Sequence, residues 1–362
     1  MTDDRIHLVV IFGGQSAEHD VSCTTAAHVL RAADPTKYRI TPIGISTDGQ
    51  WAIAEGAAAA LAAGPDALPG RLDPAGPVVS PTPMLADAVT PARQTVVLPL
   101  LHGPLGEDGT VQGMLELADI PYVGSGVLGS AVSMDKAMAK QVTLAAGIPQ
   151  ARFRSFGEHE LTPGLPATLA DDLGLPAFVK PANMGSSVGV SKAHTVEELR
   201  DAIDVALGYD ETVVVEEGIV GREIEVGVLG NLEPEASIPG EIVPGEEFYS
   251  YEDKYVTDGA QLLIPAPLGE EATAEVRALA LRAFRALRCE GLARVDFFYE
   301  MDEHGEGRGF LLNEINTMPG FTPISMYPKL WIHSGVPYAE LIDRLVALAL
   351  ERHTRRRRNT AH

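Results

Sequence analysis

Unbroken apolar runs alternate along this chain with stretches whose apolar residues recur every three to four positions. That is the pattern of buried strands separated by amphipathic helices, an α/β arrangement with α+β parts. Residues 6–12 (IHLVVIF) predict a buried strand that ends in Gly13-Gly14 and leads into a helix to about residue 33. Residues 38–45 (YRITPIGI) and 95–101 (TVVLPLL) predict two more strands, the second followed by a helix over 110–118. Residues 52–92, rich in Ala, Pro and Gly, read as short strands and loops. Further helices are predicted over 133–146, closed by Gly147 with Pro149 beyond, and over 196–207 and 272–287. Between them, PAFVKP is a short strand, and TVVVEEGIVGREIEVGVLG is two strands around a turn.

The densest pattern is RVDFFYEMDEHGEGRGFLLNEIN, residues 294–316, which reads as two strands joined by a Gly-rich charged turn. Strand side chains alternate faces, so Arg294 and Asp296 share one face, as do Glu314 and Asn316. Val295, Phe297, Leu311 and Ile315 are predicted to point the other way. The polar faces then meet as a cluster of oxygen ligands with a guanidinium beside it. Hard oxygen donors suit Mg²⁺, which keeps waters and substrate phosphates in its shell. A solvated hairpin face is the plain alternative. The rigid Thr317-Met318-Pro319-Gly320 turn directly after Asn316 favours metal.

Composition narrows the picture. With 362 residues and 45% apolar content the chain has room for two or three packed units. A net charge of −22 argues against nucleic acid and against an anionic membrane surface. Phosphates then bind only where backbone N–H groups, Lys, Arg and metal reverse the local field. The two cysteines, Cys23 and Cys289, form neither a zinc spacing nor a disulfide framework. With no signal-peptide pattern and no apolar run long enough to span a bilayer, the expectation is a cytoplasmic protein.

Several further stretches carry candidate chemistry. Glu18 and His19 sit where the first strand turns into a helix N-terminus, an anion-friendly place. His102 closes a strand at the end where α/β sheets present ligand-facing residues. Gly124-Ser125-Gly126-Val127-Leu128-Gly129 matches G-x-G-x-x-G, but no acid follows at the required distance, and it reads as a turn into a helix. Lys136 and Lys140 lie four apart on one helix face; a solvated basic face is the alternative. Lys180 precedes the small-residue loop 182–190, whose Gly185, Ser186, Ser187 and Gly189 allow backbone N–H groups to approach phosphate oxygens. No Walker A motif occurs, so a nucleotide fold here is of another kind. Glu216-Glu217-Gly218-Ile219 forms a hinge-like exit, and Glu223 and Glu225 share a strand face. The polar, aromatic loop 248–261 holds Lys254 and Tyr255 and reads as a lid.

These motifs together resemble the D-alanine–D-alanine ligase family of the ATP-grasp superfamily over essentially the whole chain. The matching stretches are GGQSAEHDVS, LHGPLGEDGTVQG, YVGSGVLGSAVSMDK, VKPANMGSSVGVSK, VEEGIVGREIEV, YEDKYV, ARVDFF and NEINTMPGFTPISMYPK. The resemblance implies an ATP-grasp fold behind a Rossmann-like N-terminal domain. It implies an N-terminal substrate domain over 1–128, a central subdomain over 129–222, a C-terminal subdomain over 223–354 and a basic tail over 355–362. It also implies ATP-driven joining of two D-alanines through a D-alanyl phosphate, for peptidoglycan synthesis, and a homodimer.

Roles carry over by position. Asp296, Glu314 and Asn316 would hold two Mg²⁺ or Mn²⁺ ions. Lys136, Lys180, Ser186 and Ser187 would meet ATP phosphates, with Lys254 on the γ-phosphate. Glu216, Glu217 and Ile219 would meet adenine, and Glu223 the ribose. Arg294 and the Gly320 N–H would form an oxyanion hole. Glu18 would bind the first D-alanine's ammonium, with His102 near its carboxylate and Ser325 on the second carboxylate. Glu18, Ser186 and Tyr255 would form a triad closing the lid. The resemblance further implies that Tyr255 marks an amine rather than a D-lactate acceptor.

Overall fold

The computed structural model describes residues 4–81, 94–244, 261–301, 304 and 306–356. Three sheets organise them. The first has the order β3-β2-β1-β4, built from β1 (Ile6–Gly13), β2 (Tyr38–Ile45), β3 (Trp51–Ile53) and β4 (Thr95–Leu100). β1 runs parallel to both β2 and β4, and β3 is antiparallel to β2. The unbroken apolar character of β1 follows from burial on both faces. Leu8, Val10 and Phe12 pack with α1 (His19–Ala32) and with the long C-terminal helix Tyr338–Arg356. Val9 and Ile11 face the opposite layer, with Val111 and Leu115 of the helix Thr110–Leu117.

The second sheet, in the order β5-β8-β6-β7, holds β5 (Phe153–Gly157), β6 (Ala177–Pro181), β7 (Ser191–Ala193) and β8 (Thr212–Glu217). Its apolar face is covered by the helices Leu165–Leu173 and Val196–Leu207. The third is antiparallel, in the order β11-β10-β9-β12-β13, with β9 (Arg222–Gly230), β10 (Glu235–Val243), β11 (Gln261–Leu263), β12 (Gly291–Glu300) and β13 (Gly309–Asn316). The helix Glu270–Ala286 lies against Ile224, Val226, Val295 and Phe297 on one face. On the other, the helix Met326–His333 seats closely because Gly227 and Gly240 carry no side chain. A Cβ at Gly227 would lie 2.9 Å from Trp331 Nε1, and one at Gly240 would lie 2.9 Å from Met326 Sδ.

Four expectations change. The Ala-rich stretch after β3 forms a helix, Glu55–Ala63, rather than loops alone. Instead of one helix over 133–146 there are two, Val127–Met134 and Lys136–Ala145, split at Asp135, whose side chain accepts from Met138 N and caps the second. Glu216 and Glu217 are the last residues of β8 and not part of the exit, which begins at Gly218 and leads to β9 in the third sheet. Finally, β13 carries a bulge: Asp296 pairs with Glu314, but Phe297 pairs with Leu312. The extra residue, Asn313, reverses the alternation, so Leu312 and not Leu311 joins Phe297 and Ile315 in the core.

Candidate active site

The hairpin β12–β13 brings its polar residues together in register. Arg294 stands opposite Asn316 and Asp296 opposite Glu314. On the other side of β12, Asp296 faces Glu225 and Arg294 faces Gly227. Arg294 donates to both Asp296 oxygens, Nε to Oδ1 at 2.8 Å and Nη2 to Oδ2 at 2.7 Å, and its Nε lies 3.1 Å from Glu225 Oε2. Burial acts against the charged guanidinium, but Asp296 and Glu225 hold its pKa well above the ordinary arginine value. Asn316 Oδ1 accepts from Met318 N (3.0 Å), which fixes the start of the following turn.

These strands form one wall of a cavity of about 860 Å³. Glu18, Lys136, Gly185, Ser186, Arg294, Glu314, Asn316, Gly320 and Ser325 all line it. They arrive from six separate parts of the chain. Ser22 of α1 accepts from Gly13 N (2.8 Å) and donates to Leu100 O, pinning α1 and hence Glu18 across the ends of β1 and β4. The loop after β6 reaches toward the same point. A Cβ on Gly185 would stand 3.6 Å from Glu18 Oε2, so the loop lies against Glu18 at Gly185. Ser186 and Ser187 both adopt positive φ, 51° and 59°, a left-handed conformation costly for non-glycine residues and typical of functional loops. Gly320 and Ser325 are neighbours: a Cβ on Gly320 would meet Ser325 Oγ at 3.2 Å.

Behind the cavity lies a buried charge cluster. Glu216, 3% exposed, has Lys140 Nζ at 3.2 Å and Lys180 Nζ at 3.2 Å. Burial would raise its carboxyl, but Lys140 and Lys180 hold it below the usual range. Burial lowers the Lys136 and Lys140 ammoniums. Lys180 also donates to Asn313 Oδ1 (3.2 Å), the bulged residue, and Lys136 donates to Met184 O. Lys140 is therefore an interior counter-ion and not a solvated face. Glu217 points to a different set: it accepts from Arg152 N (2.8 Å), Arg152 Nε (2.8 Å) and Arg308 Nη1 (2.6 Å). Its carboxyl stays below the ordinary range because these hydrogen bonds outweigh burial.

His102, 4% exposed, does not line this cavity but a second one of about 240 Å³, with Gly14, Leu101 and Pro104. Its Nδ1 donates to Met318 O (3.0 Å), while Nε2 is buried without a hydrogen-bond partner among the described residues. Glu223 pairs across β9–β12 with Phe298, two residues along the same strand face from Glu225. Ile219 follows the end of β8, with Gly218 N bonded to Pro176 O (2.9 Å). Lys254 and Tyr255 lie outside the described residues.

Two residues escaped the sequence reading. Glu107 lines the cavity, accepts from Gly103 N (2.9 Å), and is pushed up to about 8 by burial and by Glu18. The GEDG stretch held it in plain view, with nothing to separate it from an ordinary turn acid. Asn313 reaches Lys180 only through the bulge, which leaves no mark in the sequence.

Family comparison settles the relationship. Residues 7–125 match the model described as D-ala D-ala ligase N-terminus, and residues 142–347 match D-ala D-ala ligase C-terminus. The chain belongs to the D-alanine–D-alanine ligase family. It is 48% identical over 361 residues to the D-alanine–D-alanine ligase of Bacillus pumilus, covering 96% of this chain and 97% of the relative. With D-alanine–D-alanine ligase A of Bradyrhizobium diazoefficiens the identity is 49% over 98% of this chain and 97% of the relative. Among solved structures, the D-alanine–D-alanine ligase from Coxiella burnetii superposes with a TM-score of 0.83 at 37% identity, covering 99% of this chain and 97% of that one. The VanG D-Ala:D-Ser ligase from Enterococcus faecalis superposes with a TM-score of 0.79 at 33% identity, covering 95% and 99%.

The site's donor set fits the divalent ions that a ligase of this kind would need. Among the described residues no three His, Cys, Asp or Glu side chains form a metal-binding group. The set here is instead two carboxylates and an amide, all hard oxygen donors. Asp296 and Glu314 meet across one rung of the ladder, and Glu314 and Asn316 open onto the cavity. Among the described residues no helix is long and apolar enough to cross a membrane.

Proposed function

We propose that this ligase condenses two D-alanines to D-alanyl-D-alanine at the expense of ATP, for peptidoglycan synthesis. ATP phosphorylates the first D-alanine's carboxylate. The amine of the second attacks the resulting acyl phosphate; the new C–N bond forms and phosphate leaves. Glu18 pairs with the first ammonium, with His102 near the first carboxylate. Lys136, Lys180 and the backbone of the loop through Ser186 and Ser187 hold phosphates. The chain after Glu216 and Glu217, at Ile219, borders the adenine, and Glu223 reaches the ribose. Lys254 and Tyr255 lie outside the described residues; the family resemblance would put Lys254 on the γ-phosphate and Tyr255 in a triad with Ser186 and Glu18.

Asp296, Glu314 and Asn316 would hold two Mg²⁺ or Mn²⁺ ions, which when bound neutralise phosphate charge. Arg294 and Gly320 N–H aim positive charge at the oxyanion, where one such donor is worth about 2.7–4 kcal/mol in other enzymes. Three units follow from this reading: a Rossmann-like one over 1–128, and two ATP-grasp subdomains over 129–222 and 223–354. We take the enzyme to be a cytoplasmic homodimer.

The observation that carries this reading is the β12–β13 register. It sets Arg294, Glu314 and Asn316 on a cavity whose other walls bring Glu18, Lys136, Ser186, Gly320 and Ser325, with Asp296 beside them in the ladder and bound to Arg294. Phosphate release with Mg²⁺-ATP tests it, with D-alanine, D-serine, D-lactate and L-alanine compared. Release with D-alanine and not with L-alanine is expected. Equal response to L-alanine, or none to D-alanine, would end the assignment.

A further inference from the structure

The acceptor in this reaction arrives with a carboxylate that must leave water, and a carboxylate in a low-dielectric site needs a charged partner. Ser325 offers only a neutral hydroxyl, already shared with Thr322: the two oxygens lie 2.8 Å apart and Thr322 N donates to Ser325 Oγ at 3.2 Å. The other polar lining is largely acidic, with Glu18, Asp20, Glu107, Glu225 and Glu314. None of these groups supplies positive charge to a carboxylate; that charge must come from a cation of the lining.

Among the described residues lining the cavity, Arg71, Lys136, Arg294 and Lys329 carry cations. Three are committed. Arg71 Nη1 pairs with Asp20 at 2.8 Å, Lys136 donates to Met184 O, and Arg294 is bound to Asp296 and Glu225. Lys329 has no ion pair or side-chain hydrogen bond among the described residues. It sits one helical turn beyond Ser325, its N bonded to Ser325 O (3.2 Å), so the two side chains share a helix face. Gly240 lets that helix lie close against β10, which fixes where Lys329 stands.

We infer that Lys329 pairs with the carboxylate of the second D-alanine and selects acceptors that carry one. This rests on the ligase reading and adds a substrate contact to it. A charge-assisted hydrogen bond of this kind is worth roughly ten- to hundredfold in affinity. The test measures the acceptor KM separately from the first-site and ATP KM values, with D-alanine and with D-alaninamide as acceptor. Lys329→Met should raise the D-alanine acceptor KM by roughly ten- to hundredfold. It should leave the D-alaninamide value, the first-site KM and the ATP KM unchanged, and Lys329→Arg should retain most of the affinity. Equal losses on both acceptors, or no change in acceptor KM, would overturn the proposal. If Lys329→Met fails to fold, the wild-type protein still decides: a D-alanine to D-alaninamide KM ratio near one contradicts a cation reserved for the carboxylate. Phosphate release by the wild type reports on the underlying ligase reading, separately from the KM split that reports on Lys329.

Discussion

Glu216→Gln isolates the buried charge cluster of Glu216, Lys140 and Lys180. In the wild type one carboxylate, 3% exposed, serves two lysines at 3.2 Å each. Lys180 keeps Asn313 Oδ1 when the carboxylate is lost, at 3.2 Å. Lys140 does not fare so well. Among the described residues it is left with the more distant Glu314 charge and the Phe153 ring, 5.6 Å from Nζ, modest substitutes for an ion pair. Removing one partner of a buried pair costs about 3–5 kcal/mol, because the other charge is left desolvated. In a chain of this length that corresponds to a melting-point drop of roughly 4–7 °C. The loss should shrink as pH rises. Burial lowers the Lys140 pKa, so the unfolded chain holds a proton that the folded one gives up, and stability climbs toward the ordinary lysine range. The double variant Lys140→Met/Glu216→Gln removes the orphaned cation and should recover about half of the loss. Calorimetry at pH 7 and pH 10 on the four proteins of this cycle is the assay. An unchanged melting point for Glu216→Gln, or a double variant no more stable than it, would refute the reasoning.

Two further outcomes follow from neighbouring groups. Between the ordinary glutamate value of 4.5 and its folded value of about 8, Glu107 keeps a proton that the unfolded chain has lost, so stability falls as pH rises through that window. Glu107→Gln should flatten the apo-protein's melting curve against pH between these limits, gaining on the wild type by a few kcal/mol at pH 8; parallel curves would contradict it. Arg308→Gln should change stability by about 1 kcal/mol or less, since its side chain is 42% exposed. Because Arg308 braces Glu217 just before Gly218-Ile219, the ATP KM should nevertheless rise severalfold in a nucleotide titration, and an unchanged KM would sever that link.

How far the sequence could be read depends on whether local pattern or tertiary geometry decides each feature. The hairpin was legible because strand alternation alone puts Arg294 with Asp296 and Glu314 with Asn316. The register that joins the two pairs needed only that the strands meet. The same rule misplaced Leu311, since a single bulged residue, Asn313, inverts alternation without any compositional sign. Buried lysines were illegible for a related reason. Lys140 is written like any surface lysine, and its burial depends on Glu216, contributed from 76 positions away across another strand. The Ala-rich helix Glu55–Ala63 was masked by flanking Pro and Gly, whose turn signals outweighed Ala's helix propensity.

In the proposed mechanism β12 and β13 present a two-ion oxygen site beside Arg294. Counting bound Mn²⁺ by electron paramagnetic resonance, with a non-hydrolysable ATP analogue, tests it most directly. Two ions per chain are predicted for the wild type, with one or none bound at the same concentration by Glu314→Gln. Two tightly bound ions in both proteins would contradict it.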